Sequence, residues 1–117
     1  MQKPDFVRLQ HMLEAAKEAL HFVSDRNRAD LDTSRMLVLA IIKDIEIIGE
    51  AASKVTEGTR ADYPEIPWKE VIEMRNRLIH AYFNIDLDRV WETVMGDLPP
   101  LTQTLNKIVS DYWRSKE

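Results

Sequence analysis

The chain has 117 residues, with 16 Lys and Arg against 20 Asp and Glu, for a net charge of −4. That length suits one domain over residues 1–117, and the acidic balance argues against a protein that coats nucleic acid by general phosphate attraction, though not against a local phosphate site. The absence of cysteine excludes disulfides and thiolate metal sites, the longest apolar run (Met36 to Ile42) is too short to cross a bilayer, and no signal-peptide core follows Met1, so no membrane partner is expected and a cytoplasmic location fits best.

Asp5 is placed to cap a first helix running to about Val23. Phe6, Leu9, Leu13, Ala16, Leu20 and Val23 recur along it at alternating spacings of three and four, the pattern of a packed seam. The polar stretch Ser24 to Asp32 reads as a loop. A second helix is predicted from Thr33 to about Glu57, with Gly58 as its stop. Leu37, Ile41, Ile45, Ile48 and Ala52 form its main stripe. Met36, Leu39 and Ile47 lie beyond that stripe, so its apolar surface exceeds what one bundle face needs.

After a loop from Thr59 to Ile66, Pro67 suits the first turn of a third helix reaching about Tyr82. Asn84 and Asp86 can start a fourth helix near Leu87, which Gly96 and Pro99-Pro100 interrupt. Asp97 can cap a last one, on which Leu98, Leu101, Leu105, Ile108 and Tyr112 repeat the seam. No strand is visible. The pattern predicts an all-α, up-and-down bundle of four to five helices.

The third helix carries the chemistry. Arg75-Asn76-Arg77-Leu78-Ile79-His80-Ala81-Tyr82 places an arginine, an amide, a histidine and a tyrosine within one stretch, in a mildly basic segment of an acidic chain. Arg75 falls within the apolar stripe Trp68, Val71, Ile72, Leu78, Ile79 and Tyr82, and an arginine buried there would need a partner. Asp44, Glu46 and Glu50 are candidates, and such a pair could simply lock the bundle. At about 100° per residue, Arg75 and Tyr82 share one side of a straight helix while Asn76 and His80 share another. Convergence on one substrate requires the helix to end near His80, or a second copy of the motif in a symmetric dimer.

His11, Glu14, Glu18 and His21 lie on the first helix, and Glu18-x-x-His21 has a spacing used in di-iron bundles. No second such pair exists and Glu14 and Glu18 lie off the apolar seam, so a solvated face is the better reading and no metal or cofactor is implied.

Together these residues resemble a known family. Arg75-Asn76-x-x-x-His80-x-Tyr82 is similar to the Arg-x(4–6)-His signature of HEPN-domain ribonucleases, and the tyrosine after the histidine resembles the HepT-type toxins. Ile47-Ile48-Gly49-Glu50-Ala51-Ala52, Tyr63-Pro64-Glu65-Ile66-Pro67-Trp68, Asp86-Leu87-Asp88-Arg89-Val90-Trp91 and Asp97-Leu98-Pro99 continue the likeness in order. The resemblance implies a helical homodimer with an interface cleft. It also implies metal-independent RNA cleavage by attack of the RNA's own 2′-hydroxyl, and a minimal nucleotidyltransferase (MNT) antitoxin as partner. His80 would be the general acid/base, Arg75 the phosphate-binding cation, Asn76 a supporting polar group, and Tyr82 the tyrosine that the partner modifies with AMP. The alternative in a different class is a non-catalytic HEPN helical module that binds a nucleotidyltransferase and a nucleotide.

Overall fold

The computed structural model describes residues 1–81 and 84–116. Its helices are α1 (Lys3–Phe22), α2 (Asp30–Thr33), α3 (Arg35–Ser53), α4 (Glu57–Asp62), α5 (Trp68–Glu73), α6 (Leu87–Glu92) and α7 (Leu98–Ser115). A 3₁₀ turn, Met74–Arg77, follows α5, and a π turn, Thr93–Asp97, joins α6 to α7. The all-α expectation holds. One small exception is a two-stranded antiparallel hairpin, β1 (Ile79–Ala81) with β2 (Asn84–Ile85).

α1 packs chiefly against α3 and then α7, and α3 in turn supports α5. Leu9 and Met12 of α1, Ile41, Ile45 and Ile48 of α3, and Leu98 and Leu105 of α7 are fully buried. The seams read from the sequence are therefore the packed ones, with Met12, Ala15 and Ala19 widening the first. At the far end Tyr112 stacks on Phe6 with ring centroids 3.7 Å apart. Among the described residues no helix is long and apolar enough to cross a membrane.

Several boundaries differ from the sequence expectation, each for a local reason. Asp5 does not cap α1. The helix starts earlier, at Lys3 with Gln2 as its flanking residue, and Asp5 lies buried in the first turn. Its carboxylate accepts the Thr56 and Thr59 hydroxyls, both at 2.6 Å, and the Thr56 N–H at 3.2 Å, tying α1 to the start of α4. Burial pushes the Asp5 pKa up, but these hydrogen bonds outweigh it and hold the carboxyl below its ordinary range.

Ser34, not Thr33, opens α3, its hydroxyl accepting the Leu37 N–H. The residues before it, expected as loop, contain α2. α3 stops at Ser53, short of Glu57, because Arg60 reaches back to the carbonyls of Ala52, Ser53 and Val55. Gly58 is thus not a helix stop but a member of α4. Asp97 makes no side-chain cap, since the π turn carries the helix through Gly96 into α7, where the prolines fall in the first turn.

Asp44 is the costly residue of the core. It is 2% exposed on α3, and its Oδ2 has no hydrogen-bond partner among the described residues. Burial first, then the neighbouring Glu18 carboxyl on α1, push its pKa up to about 7. A carboxyl raised in the folded state gives full stability below its unfolded value. It loses stability as pH climbs from about 4 toward 7. Asp44→Asn should therefore gain stability relative to wild type on going from pH 4 to pH 8, by about 1–3 kcal/mol. Urea melts at the two pH values measure this, and an equal difference at both would contradict it.

Candidate functional site

The motif region is built from the start of α5 onward. The Trp68 indole N–H donates to the carbonyls of Arg60 at 3.2 Å and Tyr63 at 3.1 Å, fixing where the helix begins. Val71 is buried and Ile72 packs against the core. Gly49 of α3 lies under them. A Cβ there would meet the carbonyl oxygens of Ile72 at 3.2 Å and Val71 at 3.4 Å, so α3 and α5 approach backbone to backbone.

The sequence expectation of one helix to Tyr82 fails beyond Glu73. The chain tightens into the 3₁₀ turn, Leu78 buries completely, and the strand follows. Val71, Met74 and Leu78, at spacings of three and four, form the inward stripe. Met74 takes the buried position. Arg75 therefore does not sit on a core stripe. Its side chain is 45% exposed, and its Nε donates to Glu46 Oε2 at 2.7 Å. Of the three carboxylates considered for it, Glu46 is the partner, while Asp44 faces Glu18 instead. Asn76 and Arg77 are exposed.

His80 projects from β1 with its side chain 62% exposed, and its Nε2 lies 3.5 Å from Asp86 Oδ2. Asp86 is the N-cap of α6, its Oδ1 accepting the Arg89 N–H at 3.1 Å. That backbone hydrogen bond, joined by His80, holds the Asp86 carboxyl below its ordinary range against a smaller opposing effect of burial. Arg77, His80, Asp86, Asp88, Arg89 and Glu92 line a shallow hollow of about 230 Å³.

The charges of this hollow are unequally engaged. Asp88 pairs with Arg28 at 2.7 Å, which raises the Arg28 pKa, and Glu92 lies 3.9 Å from Arg89. Arg77 makes no ion pair among the described residues. The structure therefore brings His80 together with Arg77 and Asp86, while Arg75 and Asn76 are not among the lining residues. Such a hollow can exchange a proton at an imidazole beside a cation suited to phosphate.

Tyr82 lies outside the described residues. On the other side of the molecule, His11, Glu14 and Glu18 line a separate hollow with Asp44, and His21 does not. Among the described residues no three His, Cys, Asp or Glu side chains are placed to hold a metal ion. Sequence reasoning missed Arg77 as a site residue and Asp86 as the partner of His80. The short β-rich run Leu78 to Ile85 was the only signal of the hairpin that brings Asp86 to His80.

These features define a small all-α fold that exposes an imidazole and two guanidinium groups within one short motif. A family model described as ribonuclease HepT-like matches residues 12–108, and the chain belongs to that family. It is 39% identical over 116 residues to a Methanocaldococcus jannaschii protein named "Gamma-glutamylcyclotransferase and putative RNase". That match covers 99% of this chain but 52% of the relative, so the chain spans about half its length. It is 34% identical over 103 residues to a "Putative RNase" of the same organism, covering 88% of this chain and 89% of the relative. It is 36% identical over 100 residues to the "Probable ribonuclease HepT" of Thermococcus cleftensis, covering 82% and 91%. No solved structure matches.

The exposure of Arg75 has a practical consequence. A pair as open as Arg75–Glu46 contributes less than about 1 kcal/mol, so Arg75→Ala should keep its unfolding free energy within that margin. Urea denaturation checks this. A larger loss would mean that Arg75 holds the fold, and would disqualify the substitution as a probe of chemistry.

Proposed function

We propose that the chain is an endoribonuclease that cleaves RNA without a metal ion. The observation that carries this reading is the exposed His80 in a hollow shared with Arg77 and Asp86, in a chain of the HepT-like ribonuclease family. The 2′-hydroxyl of the RNA gives its proton to a base and its oxygen attacks the adjacent phosphorus. The bond to the 5′-oxygen breaks, and that oxygen takes a proton from an acid, leaving a 2′,3′-cyclic phosphate and a 5′-hydroxyl. His80 is the side chain that exchanges these protons. Arg75 neutralises charge growing on the phosphoryl oxygens, with Asn76 as a supporting donor.

Arg75 and His80 do not line one hollow within a single chain, and this favours a cleft formed between two copies. The exposed Met36, Leu39 and Ile47 on α3 are apolar surface that a second copy could cover. In a two-fold dimer each cleft draws Arg75 from one protomer and His80 from the other. His80→Ala should lower RNA cleavage at least about 100-fold with the fold intact, and wild-type activity should survive EDTA. Mixing the inactive Arg75→Ala and His80→Ala proteins should restore up to about a quarter of wild-type activity, because one cleft of each mixed dimer is complete. Full activity of folded His80→Ala would remove it from the chemistry, activity lost to EDTA and regained with metal would overturn metal independence, and no rescue on mixing would overturn the shared cleft.

The biological reading is a toxin held in check by an MNT-type nucleotidyltransferase antitoxin that transfers AMP to Tyr82. The Tyr82 oxygen would bond to the α-phosphorus of a nucleoside triphosphate, releasing pyrophosphate and the phenolic proton. The added phosphodiester would compete for the cations that bind RNA phosphate, and the nucleoside would occupy the cleft. The support is the resemblance and the position of Tyr82 two residues after His80. Mass spectrometry after co-expression with an MNT-type nucleotidyltransferase should find added AMP mass on the Tyr82 peptide and none in Tyr82→Phe. Complete neutralisation of a toxic Tyr82→Phe protein would refute covalent control.

A further inference from the structure

His80 sits where the hairpin register shifts. Ile79 pairs with Ile85 and Ala81 with Asn84, leaving His80 as the extra residue of a bulge. A bulge re-aims a side chain out of the regular ladder. Just past β2, Asp86 is fixed from two sides. Its N–H donates to the Leu78 carbonyl at 2.7 Å, and its Oδ1 accepts the Arg89 N–H. Those two bonds leave Oδ2 toward the imidazole, 3.5 Å from Nε2.

We propose that Asp86 is the positioning residue for His80, with Oδ2 accepting the hydrogen on Nε2 so that Nδ1 is the nitrogen that exchanges protons with RNA. This rests on the reading of His80 as the proton-transfer group. A neutral imidazole carries one N–H, and an ionised carboxylate can only accept, so the contact selects the tautomer. Asp86 stays ionised because the α6 backbone N–H stabilises its charge. The remaining charged groups of the hollow do not compete for Nε2. Asp88 is held by Arg28, Glu92 lies beside Arg89, and Arg77 is a cation. At 3.5 Å the pair is loose, as such contacts are before substrate binds, and it strengthens when the imidazole takes a second proton.

The position offers a clean separation of roles. Asn caps a helix about as well as Asp, so Asp86→Asn keeps the start of α6. With its carbonyl oxygen on the Arg89 N–H, the amide presents NH₂ to Nε2, a donor where an acceptor stood. The hydrogen must then move to Nδ1. Asp86→Ser is a second variant that caps the helix but is too short to reach the ring.

Nitrogen-15 NMR of His80 reads the tautomer directly. The neutral wild-type ring should carry its hydrogen on Nε2, Asp86→Asn should carry it on Nδ1, and Asp86→Ser should show a mixture. Protection of the Arg89 amide should persist in both variants. Cleavage by Asp86→Asn should fall at least about 10-fold in kcat with KM nearly unchanged. An Nδ1–H tautomer in wild type, or one unchanged in both folded variants, overturns the assignment of Asp86. Absence of RNA cleavage by wild type would sink the ribonuclease reading instead, while the nitrogen shifts still decide whether Asp86 sets the tautomer.

Discussion

Leu78 has no chemistry of its own, yet both of its backbone groups and its side chain are committed. The side chain is fully buried, the N–H donates to the Arg75 carbonyl at 3.0 Å, and the carbonyl accepts from Asp86 at 2.7 Å. Burying a leucine is worth about 1.5–3 kcal/mol, enough to hold a turn that local propensity alone would not. The arginines and the histidine of the motif leave this anchor in different directions. Arg75 returns toward α3 and Glu46, while His80 leaves on a strand toward α6. Had α5 continued as a regular helix, Asp86 would have no route to the imidazole.

The buried acids show two solutions to one problem. Asp5 brings enough donors with it to stay charged, and in doing so joins α1 to α4 across 51 residues of chain. Asp44 brings none to its Oδ2 and meets another carboxyl, so charge there is resisted. The first adds to the stability of the fold at neutral pH and the second subtracts from it. Asp44 faces Glu18 of α1, whereas Glu46, two residues further along α3, holds Arg75.

Much of the architecture was legible in the sequence because burial of long amphipathic helices dominates their formation. The α1, α3 and α7 seams and Asp86 as a helix cap follow from periodicity and cap chemistry, while Pro67 falls just before α5, as its N-cap, rather than in its first turn. What escaped was short or tertiary. The hairpin has only five described strand residues, too few for a period-2 signal, and its pairing depends on Leu78 finding the core. α4 is a short helix tied to Asp5 of α1, a contact made across a long sequence separation. At the site, the motif residues Arg75, Asn76 and His80 were visible as a pattern. The side of Arg75 was misjudged, because the stripe through Trp68, Val71 and Ile72 omits Met74, which lies three residues from Val71 and four from Leu78 and takes the inward position.

Gly49 extends the reach of this arrangement. It stands one helical turn from Glu46 on α3, so the same short segment both receives the α5 backbone and holds the Arg75 guanidinium. The separation of the two helices is set there by the absence of a single carbon atom. A methyl group at that point would act as a wedge, shifting the end of α5 by tenths of an ångström and altering the reach of Arg75 without touching any reactive group. Position 49 is in that sense a mechanical adjustment for the Arg75–Glu46 pair, one that sequence drift or deliberate redesign could use to change its geometry while leaving every motif residue in place.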